Sequence, residues 1–150
     1  MDTRIPPPVA MVLAGVLAWL LTHVAPGLSL HVPMHRTVAV CIALLGIACS
    51  IGAKGAFTRA GTTLNPMHPE NATSLLTSGL YRYSRNPMYV GQCLVLAGWC
   101  MWLDHALAWI AVGALAWFLT MFQIKPEERV LMAKFGEDYR VYRARVRRWL

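Results

Sequence analysis

Two short stretches hold the residue types from which a reactive site can be assembled. The first is Gly79-Leu80-Tyr81-Arg82-Tyr83-Ser84-Arg85-Asn86-Pro87-Met88-Tyr89-Val90-Gly91, which combines two arginines, three tyrosines and an Asn-Pro pair. The second, about forty residues further on, is Lys125-Pro126-Glu127-Glu128. Adjacent carboxylates can receive a cation, and tyrosine rings can pack against it or hydrogen-bond a bound ligand. Each stretch also has a plainer explanation. Tyr and Arg belt the headgroup layer of membranes, and acids at a helix start are favoured by the helix dipole by about 0.3–1 kcal/mol each.

The elements that must position these residues are apolar. Of 150 residues, 57% are hydrophobic and 14% charged, with a mean hydropathy of +0.45. That excess is too large for an ordinary water-soluble domain, and it excludes disorder, a collagen-like fibre and a disulfide-stapled scaffold. Val9–Ala25, Thr37–Ala53, Met88–Leu103 and Ala106–Ile124 contain no Asp, Glu, Lys or Arg. Each approaches the roughly 20 residues that cross a bilayer, and a borrowed flanking turn completes it. Four transmembrane helices are expected, the last two forming a tight hairpin about Asp104-His105. The first run has the look of a signal peptide, but its length favours a retained anchor.

Thirteen Lys and Arg residues fall on one side of such a bundle and only Arg36 on the other. The positive-inside rule then puts both termini and the loop 54–87 in the cytoplasm of a multi-pass protein, in the plasma or inner membrane if the source is prokaryotic. Anionic lipid headgroups account for the formal charge of +7, and no nucleic-acid motif is present. Cys41, Cys49, Cys93 and Cys100 lie inside spans as small apolar filling, with no disulfide framework. His31 and His35 lack a third ligand, so no metal is expected. The Asn71-Ala72-Thr73 sequon would be cytoplasmic and unused.

The loop 54–87 is far longer than the usual 4–6 residue connection. Its apolar content, Leu64, Leu75, Leu76, Leu80, Tyr81 and Tyr83, predicts an ordered loop. Pro87 suits the first turn of the third helix, with Asn86 as its cap. Beyond the fourth span, Leu131, Phe135, Tyr139, Tyr142, Val146 and Trp149 form one helical stripe. An amphipathic basic helix over 126–149 is expected. Among the spans' ionisable side chains only His23 stands out, at one end, which argues against a proton-coupled transporter.

The Gly79–Gly91 stretch followed by Glu-Glu-Arg-Val-Leu-Met-Ala-Lys-Phe-Gly-Glu-Asp-Tyr-Arg-Val-Tyr resembles the isoprenylcysteine carboxyl methyltransferase family, whose superfamily includes phospholipid N-methyltransferases. The likeness runs from about Thr62 to Val146. It implies a polytopic enzyme using S-adenosylmethionine, with a cofactor site built from both cytoplasmic pieces. The residues so implicated are Thr73, Ser74, Leu75, Leu76, Tyr81, Asn86, Pro87, Met88, Tyr89, Glu127 and Glu128. The first acid, Glu127, is the expected cofactor carboxylate. Asn86 stands where many members have His. Gln123 stands where eukaryotic members place an arginine that helps hold the substrate's carboxylate. Arg85 and Tyr89 are the candidates for the catalytic centre.

The expected protein is therefore an all-α integral membrane methyltransferase of one domain: four transmembrane helices, a structured cytoplasmic loop and a C-terminal amphipathic helix. Its acceptor is lipophilic or amphiphilic, a lipid or a lipid-modified thiol, amine or carboxylate. The alternatives are an NADPH-dependent membrane reductase of related fold and a non-catalytic four-helix membrane protein.

Overall fold

A computed structural model of the chain describes residues 5–59 and 74–150. Thr73, the sequon and most of the loop before it lie outside the described residues. The regular elements of the described chain are helices: α1 (Pro7–Val24), α2 (His35–Arg59), α3 (Pro87–Leu103), α4 (Ile110–Leu119) and α5 (Lys125–Arg145). Single 3₁₀ turns at Gly79–Arg82 and Ala106–Trp109 precede α3 and α4.

Prolines set the helix starts. Pro7 and Pro87 occupy the first turns of α1 and α3, where the missing N–H has no partner to lose. α3 ends at Asp104, which takes the left-handed conformation (φ 49°, ψ 42°), one that Asp tolerates better than most residues. Its carboxylate accepts the backbone N–H groups of His31 (3.1 Å) and Val32 (3.2 Å). The His105 ring bonds the Ala25 carbonyl at 2.9 Å, and Ser29 pairs with His105 in a lone antiparallel bridge. The α1–α2 connection is thereby stitched to the α3–α4 turn at the end of the bundle remote from the two motifs.

Small residues line the helix contacts. Ala10, Ala14 and Ala18 of α1 are buried, as are Ala108 and Ala111 at the start of the α4 region. Large side chains face outward instead, with Leu13 58%, Leu45 60% and Trp117 58% exposed. A water-soluble protein would bury these; this inversion is how helices associate in lipid, where small residues let backbones approach. α2 and α3 meet most intimately. A Cβ on Gly46 would sit 2.6 Å from the Gly91 carbonyl oxygen, and one on Gly91 would sit 2.1 Å from Ser50 Oγ. Cys49 adds a thiol hydrogen bond to the Pro87 carbonyl (3.3 Å), so it does more than fill space.

Three helical stretches are long and apolar enough to cross a membrane: Pro7–Val24, His35–Arg59 and Ala106–Arg145, with the 17-residue Pro87–Leu103 somewhat shorter. α2 runs to Arg59, so the segment expected as loop from residue 54 begins as helix. The expected break between a fourth span and a separate C-terminal helix is absent. The chain passes from α4 into α5 through one wide turn, Thr120–Ile124, in which the Lys125 N–H bonds the Thr120 carbonyl five residues back. Pro126 explains the widening. In a regular helix its ring would clash with the carbonyl four residues earlier, and one extra residue in the turn relieves that clash.

The C-terminal helix also departs from expectation. It breaks at Gly136 (φ 48°, ψ −115°), a conformation suited to Gly, and ends at Arg145 rather than 149. Beyond it Val146 is extended and the tail turns back across the bundle. Trp149 Nε1 donates to Thr120 Oγ1 (3.2 Å) and packs on the α1–α3–α4 core.

Candidate functional site

A recess opens where the start of α3, the 3₁₀ turn before it, the end of α2 and the first half of α5 converge. Its empty space is about 580 Å³, part of it open to solvent. The part enclosed by protein is small, about 40 Å³, below the roughly 300–1,000 Å³ of small-molecule sites. Ser74, Leu75, Leu76, Tyr81, Arg85, Asn86, Met88, Tyr89, Glu127 and Glu128 all line it, so residues from both motifs face one space. Pro87 is buried at the start of α3 but does not line the recess. Phe57 from α2 and Leu131, Tyr139 and Tyr142 from α5 complete the wall. The tyrosines belong to the helical stripe, whose burial was foreseeable. Phe57 carries no signal in the sequence, and only the crossing of α2 over the 3₁₀ turn brings it in. There it meets Tyr81 edge to face, centroids 5.2 Å apart.

The two adjacent glutamates have separate environments. Glu128 is held by two arginines. Arg148 donates from Nε to Oε1 (3.0 Å) and from Nη2 to Oε2 (2.8 Å), and Arg85 Nη2 lies 2.9 Å from Oε1. Glu127 is buried, and its carboxylate accepts a hydrogen bond from the Tyr89 hydroxyl, with no cation beside it among the described residues. It lies past the apolar run that ends at Ile124. Burial pushes its carboxyl up to about 7; the Tyr89 hydrogen bond opposes the rise and the Glu128 charge adds to it. The continuity of α4 and α5 also removes the helix-dipole explanation for this acidic pair, because no free helix N-terminus exists there.

The C-terminal tail ties the far side of the site together. The Arg85 N–H donates to the Arg147 carbonyl (3.0 Å). The Asn86 side-chain amide donates to the Arg148 carbonyl (2.9 Å), and Ser84 Oγ donates to the same oxygen (3.4 Å). Asn86 therefore does not cap α3 with its side chain, as its position suggested; its amide is spent on the tail. Ser84 Oγ accepts the Asn86 N–H instead (3.1 Å). Tyr142 donates to the Tyr81 carbonyl at 2.7 Å, and burial raises both phenols well above their ordinary range.

Gln123 is elsewhere. Its side chain is buried and donates to the Ile5 carbonyl at 2.9 Å, so it anchors the start of the chain to the wide turn and does not line the recess. The turn rotates Glu127 and Glu128 toward the recess and Gln123 away from it.

The phospholipid methyltransferase family model matches residues 34–138. An uncharacterised protein of Haemophilus influenzae is 44% identical over 63 residues, 42% of this chain and all of that protein. A protein-S-isoprenylcysteine O-methyltransferase of Tribolium castaneum is 28% identical over 141 residues, 89% of this chain and 49% of the relative. The human enzyme of that name is 29% identical over 96 residues, 62% of this chain and 34% of its own. The chain thus spans half or less of the length of these named methyltransferases. No solved structure matches it. Because the family match covers most of the chain and runs through both segments that build the recess, this integral membrane protein belongs to the phospholipid methyltransferase family.

Proposed function

We propose that this protein transfers a methyl group from S-adenosylmethionine to a lipophilic or amphiphilic acceptor, with the recess as the cofactor site. The observation that carries the reading is Glu127, a buried carboxylate on the recess wall with a hydroxyl partner and, among the described residues, no cation. S-adenosylmethionine carries a sulfonium and an ammonium, and the sulfonium supplies an electrophilic methyl. The donor set fits that ligand. Glu127 would face the cationic portion, Tyr89 would orient the carboxylate, and Tyr81, Phe57, Leu75 and Leu76 would offer aromatic and apolar walls to the adenosine. Methyl transfer is an in-line displacement, so placing the acceptor atom roughly 3 Å from the methyl and excluding water supply most of the catalysis. Arg85 and Tyr89 stand nearest that centre in this reading.

The acceptor is proposed to be a lipid or a lipid-modified thiol, amine or carboxylate. The recess lies at the start of α3 and just past the apolar run ending at Ile124, which would put the reacting methyl near headgroup depth. Each buried methylene of an acceptor tail adds about 0.8 kcal/mol of membrane affinity and concentrates it there. The direct test is calorimetry with S-adenosylmethionine on detergent-purified protein. Saturable binding that weakens in Glu127→Gln supports the reading; binding of NADPH with no binding of S-adenosylmethionine overturns it in favour of a reductase.

A further inference from the structure

We propose that the end of the bundle remote from the recess binds one anionic phospholipid, its phosphate on Arg36 and its two acyl chains in a pair of grooves on either side of Trp99. Arg36 is the only Lys or Arg between Arg4 and Lys54, and none lies between Arg85 and Lys125. Its guanidinium sits 5.5 Å from the centre of the Trp102 ring and meets no carboxylate among the described residues. Asp104, the acid at that end, spends both carboxylate oxygens on the backbone N–H groups of His31 and Val32. Helix stability does not account for Arg36 either. It stands in the first turn of α2, where the helix dipole favours an anion and disfavours a cation. The N–H groups of such a turn lack intrahelical partners, so backbone and side chain together suit a phosphate.

Below Arg36 the surface is shaped for acyl chains. Ala39, Val40 and Ala43 follow it by three, four and seven residues, on one face of α2. With Gly98, Trp99 and Trp102 of α3 they line an open groove of about 330 Å³. Its floor is close-packed backbone, because a Cβ on Gly98 would lie 2.8 Å from the Ala39 carbonyl oxygen. Trp99 is the ridge between this groove and a second, of about 350 Å³, whose far wall is Gly15, Val16 and Trp19 of α1. Trp99 Nε1 donates to the Gly15 carbonyl (3.1 Å), which fixes the ridge before anything binds. Two grooves sharing one ridge fit the two chains of a single lipid. A partner helix is about 10 Å across with its side chains, and the standing indole holds it off either floor. The head is anionic rather than zwitterionic, because a choline or ethanolamine cation would need an acid beside Arg36 and Asp104 is already engaged.

Native mass spectrometry of the full chain, purified in detergent and titrated with dioleoyl phosphatidylglycerol or dioleoyl phosphatidylcholine, counts the lipids retained. Wild type should retain one phosphatidylglycerol more than Arg36→Gln, with an apparent affinity about fivefold higher at this site. With phosphatidylcholine the two proteins should match. Lipid held by the arginine-rich end of α5 is common to both and drops out of the comparison. Arg36→Lys should restore the extra lipid, which separates lost charge from a damaged fold; if it does not, charge is not the determinant and the proposal fails. Val40→Trp fills the α2–α3 groove from an exposed position and should lose the same one lipid with Arg36 intact. Equal retention of phosphatidylglycerol by wild type and Arg36→Gln refutes the site, as does an equal loss of phosphatidylcholine. Loss in Arg36→Gln but not in Val40→Trp refutes the seating of the chains. A dimer that binds no lipid on this face and that Val40→Trp dissociates assigns the grooves to a second copy and overturns the proposal.

Discussion

At the scale of single residues, the consequence to test first is that neighbouring, identical side chains behave oppositely. Glu127 has its carboxyl raised to about 7 by burial. A carboxyl raised by folding contributes stability that is full below its unfolded value and lost as pH rises through the folded value, here between about 4.5 and 7. Glu127→Gln escapes that loss. Its melting temperature relative to wild type should therefore climb between pH 5 and pH 8, in thermal denaturation followed by circular dichroism. The same ionisation favours a cationic ligand. Wild-type affinity for S-adenosylmethionine, divided by that of Glu127→Gln, should rise with pH up to about 7 and level off above it. The division removes the ligand's own titration, and a ratio independent of pH would show that Glu127 does not meet the cation. Glu128→Gln predicts the reverse on stability. It strips the partner from buried Arg85 and loosens Arg148, and breaking such a buried pair costs about 3–5 kcal/mol. The measurement is the same melt, with Glu128→Gln expected well below wild type at every pH.

Among the elements, the wide turn Thr120–Ile124 and the α2–α3 contact decide whether the site exists. One residue advances a helix by about 100°. Deleting Met121, which is exposed, together with Pro126→Ala, which removes the ring that requires the extra residue, should turn the wide turn into a regular one and swing Glu127 and Glu128 off the recess wall. The deletion variant should keep its helical spectrum and lose measurable S-adenosylmethionine binding; retained binding would show that the turn does not aim the acids. Between α2 and α3, a methyl on Gly91 meets not only the movable Ser50 hydroxyl but the Gly46 carbonyl at 2.6 Å, which cannot rotate away. Gly91→Ala should cost about 1–3 kcal/mol or more, and adding Ser50→Ala should recover only part of it. Full recovery would place the strain in the hydroxyl alone. Much of this level was legible beforehand. Apolar runs located the helices, and the prolines located two of their starts. What the runs did not reveal was that α4 and α5 are joined, because a helix stop was expected at Pro126 and the structure absorbs that proline in an expanded turn instead.

For the whole molecule, orientation in the membrane is the open test. The recess, Arg82, Arg85 and the arginine-rich end of α5 share one end of the bundle, while Arg36 and the Asp104–His105 stitching share the other. Ser78 and His31 are both exposed, at opposite ends. In a cysteine-free background, cysteines placed at these two positions should label from opposite faces, Ser78 from the cytoplasm. Equal labelling of both from outside would overturn the four-span arrangement. A series of acceptors with one reactive head and lengthening alkyl tails should show catalytic efficiency climbing with tail length before levelling off. Equal methylation of the tailless head would point to a water-soluble acceptor.

The amino-acid sequence alone determined the solvent and the parts. Long uncharged runs are compatible with little but a bilayer, and composition along a helix is a local property that needs no fold to be read. The two motifs were likewise local, and their meeting could be anticipated from the shared cytoplasmic side that the expected topology gives them. The allocation of partners belonged to the tertiary structure. Glu128 finds Arg148 twenty positions away, Asn86 finds the Arg148 carbonyl sixty-two away, and Gln123 finds Ile5 one hundred and eighteen away. A hydrogen bond is decided within a few tenths of an ångström. Which of two adjacent glutamates is paired with arginines and which meets only a hydroxyl therefore depends on where distant backbone lands, and residue spacing carries no record of that.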